Sequence, residues 1–180
     1  FYCKLTLTNI TIPDSVTSIG TYAFTGCTNL NSISIPDGVT SIKWATFKDC
    51  TSLTDITIPN RVNSIEYYAF RCCTSLANIT IPDSVISIEQ NAFRNCTSLT
   101  SIIIPKNVET MGDRYYPVFE GCTNLTTVTF AEGMTKIPDY ACRKCTSLTN
   151  VTIPDSVTSI GDSAFSQCAS LANINIPDSV

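Results

Sequence analysis

The chain has 180 residues, 43% of them hydrophobic and only 14% charged, with ten cysteines, no histidine and a net charge of -4. That is too apolar for a disordered chain, and no window holds the roughly 20 unbroken apolar residues of a transmembrane helix. The acidic balance argues against a nucleic-acid backbone as partner.

From the N-terminus onward the chain repeats one unit. Phe1 stands in the slot that Phe24 fills one unit later. Cys27, Cys50, Cys73, Cys96, Cys122, Cys145 and Cys168 recur every 23 residues, except for a spacing of 26 between Cys96 and Cys122. The longer spacing is an insertion around Arg114-Tyr115-Tyr116, between Met111 in the Ile slot and Phe119 in the Phe slot. Within each unit Leu30, Leu53, Leu76, Leu99, Leu125, Leu148 or Leu171 opens a strand. Alternate apolar slots follow, such as Ile33 and Ile35 or Ile79 and Ile81, and a period of two puts them on one face. Proline then ends the strand at 36, 59, 82, 105, 154 and 177, since it cannot donate to a ladder, and Pro-Asp followed by Ser or Gly is turn chemistry. After the turn, Val16, Val39, Val62, Val85, Val108 and Val157 point back inward with Ile19, Ile42, Ile65, Ile88, Ile137 and Ile160. This short Val-x-x-Ile run predicts a second strand or an extended segment. Phe24, Phe47, Phe70, Phe93, Phe119 and Phe165 close the unit as core plugs. Residues 1–180 are therefore expected to form a single solenoid of about eight 23-residue repeats, as a piece of a longer chain. One coil cannot bury its apolar set alone; stacked coils can.

The unit Cys-Thr-Ser-Leu-Thr-Ser-Ile-x-Ile-Pro-Asp-Ser-Val-Thr-Ser-Ile-Gly-x-x-Ala-Phe, matched almost position by position at residues 145–167, resembles the BspA-type leucine-rich repeat of treponemal surface proteins. The resemblance spans the whole chain. It implies a β-rich right-handed superhelix of short strands with extended or loop return segments and little or no helix. It also implies a place on the cell surface and a role in adhesion, with no shared active site. Three departures cluster beside the insertion: Cys142 in the Phe slot, Ala131 in the Pro slot and Phe130 in an Ile slot. They are expected to form a bulge on one edge.

The cysteine column is expected to be buried free thiols acting as small hydrophobes. Cys142-Arg-Lys-Cys145 has the Cys-x-x-Cys spacing, but both members fall in repeat slots and no second pair or histidine accompanies them. Cys3 and Cys72 share a slot outside the column and are candidates for free or intermolecular thiols. The Asp column (Asp14, Asp37, Asp83, Asp155, Asp178) serves the turn; a cation site would want six to eight oxygens. No nucleophile with a base, carboxylate pair or phosphate loop stands out from the repeat, so neither a catalytic group nor a metal or cofactor is assigned.

Two surfaces are binding candidates. One is the outward strand face, polar and nearly uncharged, with Asn78, Thr80, Ile103, Asn150 and Thr152 along it. The other is aromatic: Tyr22, Trp44, Tyr67 and Tyr68 fall in the same or adjacent slots of successive coils, with Tyr115 and Tyr116 in the insertion. Asn9, Asn78, Asn95, Asn124 and Asn150 head N-glycosylation sequons. The expected function is a non-enzymatic extracellular or cell-surface protein that mediates adhesion, binding protein or glycan on host, matrix or neighbouring cells. The alternative is an element of an extracellular filament or surface layer, built by self-association through uncapped ends.

Overall fold

The computed structural model describes residues 6–180. Two parallel β-ladders and a stack of turns run along it, and no helix forms among the described residues. The first ladder holds β1 (Asn9–Ile10), β2 (Ser32–Ser34), β4 (Asp55–Thr57), β7 (Ser101–Ile104), β9 (Thr127–Phe130) and β11 (Asn150–Thr152). The second holds β3 (Ser41–Ile42), β5 (Ser64–Ile65), β6 (Ser87–Ile88), β8 (Thr110–Met111), β10 (Lys136–Ile137) and β12 (Ser159–Ile160). The Val-x-x-Ile run is thus a strand at its Ile end, while Val39, Val62 and Val85 close the preceding turn through an N–H to the carbonyl of the proline. Register follows the repeat: Ile33 sits on Ile56, Ile65 on Ile88, and Val128 on both Ile102 and Val151.

Each ladder is interrupted once between coils, at different levels. In the first, residues 78–81 form no strand; Thr80 makes one isolated bridge to Thr57, and β7 pairs only onward to β9. In the second, β8 and β10 do not pair, because the insertion at 114–116 lies between their coils. Where one ladder lapses the other is continuous: β5-β6-β8 passes the first gap and β7-β9-β11 the second.

The Phe-bearing segment is a run of turns, and here the structure adds what the periodicity did not show. In every such unit but the one with the insertion, two residues adopt left-handed φ, one two places before the Phe slot and one two places after; the insertion unit keeps only the second. The first series is Tyr22, Ala45, Tyr68, Asn91, Tyr140 and Ser163; the second is Gly26, Asp49, Cys72, Asn95, Gly121, Lys144 and Gln167. They turn alternate amides along the axis. Tyr22, Phe24 and Gly26 donate to the carbonyls of Trp44, Thr46 and Lys48, while Ala23 and Thr25 donate within their own turn. The same pattern links Ala45, Phe47 and Asp49 to the next coil. A non-glycine residue in this region costs on the order of 1–3 kcal/mol, and the axial hydrogen bonds offset it.

The core is one contiguous cluster. Leu30, Leu53, Leu76, Leu99, Leu125 and Leu148 are wholly buried, each burial worth roughly 1.5–3 kcal/mol. Phe24, Phe47, Phe70, Phe93 and Phe119 stack with ring centroids 5.2 to 5.7 Å apart. At Cys142 the column has no ring. There Phe130, the aromatic residue in an Ile slot, is buried and stands edge-on to Phe165 at 6.2 Å. The departures expected to make a bulge instead repack the interior; what protrudes is the insertion.

The cysteine column is buried from Cys27 to Cys145 and half-buried at Cys168. The thiols are more than small hydrophobes. Cys50, Cys73, Cys96 and Cys122 donate to the carbonyls of Phe24, Phe47, Phe70 and Phe93 at 3.0 to 3.1 Å. Burial pushes Cys50 up to about 12 and Cys168 up to about 11, and holds Cys73 and Cys96 well above the usual thiol range. Cys145 is raised first by its contact with the Cys142 thiol and then by burial. One position corrects the free-thiol expectation: Cys27 is disulfide-bonded. Cys72 is a half-exposed free thiol; Phe1 and Cys3 lie outside the described residues.

Candidate recognition surfaces

The strand face is built by alternation. Ile33, Ile56, Ile102, Val128 and Val151 point inward, which leaves their neighbours outward. Asn78, Thr80, Ile103, Asn150 and Thr152 are all exposed, Ile103 at 61%. The structure does not bring the five together. Asn150 and Thr152, on β11, pair with Thr127 and Thr129 of β9. Asn78 and Thr80 line a groove of about 390 Å³ with Asp55, Thr57 and Asn60, at the level where the ladder lapses. Hydroxyls near this face are already engaged: those of Thr54, Thr126 and Thr149 donate to carbonyls of the preceding coil.

Four of the five sequon asparagines are exposed: Asn9, Asn78, Asn124 and Asn150. Asn95 is half-buried with left-handed φ, and its amide reaches the Cys72 thiol at 3.7 Å. A Cβ on Gly121 would stand 2.1 Å from its Oδ1, so glycine there makes room for this side chain. That packing leaves Asn95 poorly placed to carry a glycan.

The aromatic candidates come together as three ring pairs where the turns begin. Tyr22 and Trp44 are 5.5 Å apart between centroids, Tyr67 and Tyr68 6.3 Å, Tyr115 and Tyr116 6.4 Å. Five of the six are 41 to 68% exposed, and Tyr68 is half-buried. Trp44, Tyr67 and Tyr68, with Glu66 and Glu89, line a groove of about 590 Å³. The insertion is organised by Asp113, whose Oδ1 accepts the N–H groups of Tyr115 and Tyr116, each at 2.7 Å. Asp113 also takes a hydrogen bond from the Gln90 amide at 3.2 Å. Gly112 has φ near 51°, and a Cβ there would press on the Tyr116 carbonyl at 3.0 Å. Partial burial, then the carboxylates of Glu89 and Asp113, hold the Tyr67 hydroxyl above its ordinary pKa, so this part of the edge is electronegative.

The sequence reading did not single out the carboxylates of this edge. Their signal was present: Glu66 and Glu89 occupy one repeat slot in successive coils, directly before Tyr67 and Gln90. Beyond the Phe column the turns carry Lys48, Arg71, Arg94 and Arg143 in a basic slot. Glu120 in that slot pairs with Arg94 at 3.6 Å and with Lys144 at 2.8 Å. Among the described residues no three His, Cys, Asp or Glu side chains stand close enough to hold a metal ion. No helix there is long and apolar enough to cross a membrane.

A family model described as a BspA type leucine rich repeat region matches residues 1–117 and 114–180, with six copies. The crystal structure of a leucine rich repeat protein from T. pallidum is similar over 92% of this chain and 78% of its own, at 29% identity and a TM-score of 0.75. A leucine rich cell surface protein from Faecalibacterium prausnitzii is 26% identical over 97% of this chain and 68% of its own, with a TM-score of 0.46. No curated protein matches the chain.

Proposed function

The chain belongs to the BspA-type leucine-rich-repeat family, and from that premise we propose that it is a cell-surface recognition solenoid that mediates adhesion, with the aromatic edge as its contact surface. One observation carries the choice of surface. Tyr22, Trp44, Tyr67, Tyr115 and Tyr116 stay exposed on one edge although the core takes every phenylalanine of the stack. Aromatic residues bury much area at low entropic cost and dominate binding hot spots. The strand face offers hydroxyls, several of their neighbours already spent on the coil below. The free thiols do not oppose an extracellular site, because burial and carbonyl partners keep most of them protonated and unreactive.

The test uses beads coated with the chain on a panel of immobilised matrix proteins and glycans. A Trp44→Ala, Tyr67→Ala, Tyr115→Ala variant should lose roughly tenfold or more in binding to the partner so found. A Thr80→Lys, Thr152→Lys variant on the strand face should keep it. The reverse pattern would move recognition to the sheet.

A further inference from the structure

We propose that the groove walled by Trp44, Tyr67 and Tyr68 and flanked by Glu66 and Glu89 is a subsite for a basic side chain, lysine or arginine, on a partner protein. The inference rests on the aromatic edge being the recognition surface and specifies what that surface recognises.

The walls supply the first reason. The π-faces of Trp and Tyr attract cations, each such contact at an exposed site strengthening binding by roughly two- to fivefold. Tyr68 already shows the preference: the guanidinium of Arg71 lies over its ring at 5.5 Å. Trp44 and Tyr67 hold no such cation among the described residues, and neither lysine nor arginine lines the groove.

The carboxylates supply the second. Glu66 is fixed in place because its Oε2 accepts the N–H of Trp44 at 3.0 Å, which leaves Oε1 as a positioned acceptor. Neither Glu66 nor Glu89 has an ion-pair partner among the described residues. Asp113, spent on the N–H groups of Tyr115 and Tyr116 and on Gln90, adds negative potential beside Tyr67. Carboxylate lone pairs are satisfied by N–H donors. That selects a lysine ammonium or an arginine guanidinium over a quaternary ammonium, which has no donor. A groove of about 590 Å³ accommodates the side chain with part of the segment that carries it.

Trp44 is the one tryptophan of the chain, so its fluorescence reports on the groove directly. The probes are an oligoarginine and an oligolysine peptide, a Gly-Ser peptide of equal length, and tetramethylammonium chloride, all at low ionic strength. At least one basic peptide should give a saturable change, and the Gly-Ser peptide none. A Glu66→Gln, Glu89→Gln variant keeps side-chain shape and should bind the peptide about tenfold more weakly, with an unchanged thermal midpoint showing that it is folded. Three results would each overturn the proposal: no saturable change with either basic peptide, an undiminished response in the double-Gln variant, or tetramethylammonium binding as tightly as the peptides. The double-Gln variant is also placed on the matrix panel beside Trp44→Ala. If it keeps partner binding while Trp44→Ala loses it, the basic side chain is excluded and the aromatic edge stands. If the Trp44→Ala, Tyr67→Ala, Tyr115→Ala variant also keeps binding, the edge itself is excluded.

Discussion

At position 142 the stack of phenylalanine rings is broken by a thiol, and the missing volume is restored from another slot. Phe130, in the same coil, brings its ring to Phe165 from the strand side. The two departures are therefore one substitution in physical terms. Cys142→Phe alone should overpack the site and cost about 1–3 kcal/mol. Phe130→Ile alone should open a cavity and cost about 1–2 kcal/mol. Together they should return stability to near the starting value, a coupling well beyond the few tenths expected of independent sites. Urea midpoints of the four proteins measure this, and additive losses would mean that the two residues do not compensate. The sequence shows both residues as exceptions to the repeat. It could not show that they answer each other, because periodicity treats each slot as a separate column and the contact runs between columns.

At the scale of elements the repeat is legible where it obeys a rule of alternation. Inward Ile and Val, proline stops and the Pro-Asp turn place both ladders correctly. The turn stack was legible only in part. Gly26, Gly121, Asn91 and Asn95 hint at left-handed backbone, but Tyr22, Tyr68 and Lys144 in the same columns carry no such sign, and only the axial hydrogen bonds explain them. The lapse at residues 78–81 was not legible at all, since Asn-Ile-Thr-Ile there reads as well as any strand in the chain. It has a measurable consequence. The N–H groups of β7 facing residues 78–81 lack a strand partner, whereas those of β9 face β7 in a four-residue register. Amides of Ser101 and Ile103 should exchange with solvent roughly tenfold faster or more than those of Thr127 and Thr129. Equal protection would mean that the ladder is continuous in solution.

For the whole molecule the cysteine column ties stability to pH. A thiol in the unfolded chain ionises near pH 8.5, by the usual reference value of about 8.5. In the fold Cys50 is pushed up to about 12 and Cys168 to about 11, while Cys73, Cys96 and Cys145 are raised well above the ordinary range. The folded state then binds more protons than the unfolded state throughout that window, so stability falls as pH rises. The contribution is fully present below the unfolded pKa and is lost progressively as pH climbs toward the folded values. Coils contact only their neighbours, yet the thiols form one column, so the loss is shared along the rod. Thermal midpoints should be flat from neutral pH to about 8.5 and drop steeply above it. The control is a Cys50→Ser, Cys73→Ser, Cys96→Ser variant. Its hydroxyls can donate to the same Phe24, Phe47 and Phe70 carbonyls but do not ionise there. Its midpoint should decline less steeply with pH than that of the parent, whatever its value at neutral pH. If both proteins decline in parallel, the alkaline weakness belongs to the surface and not to the thiol column.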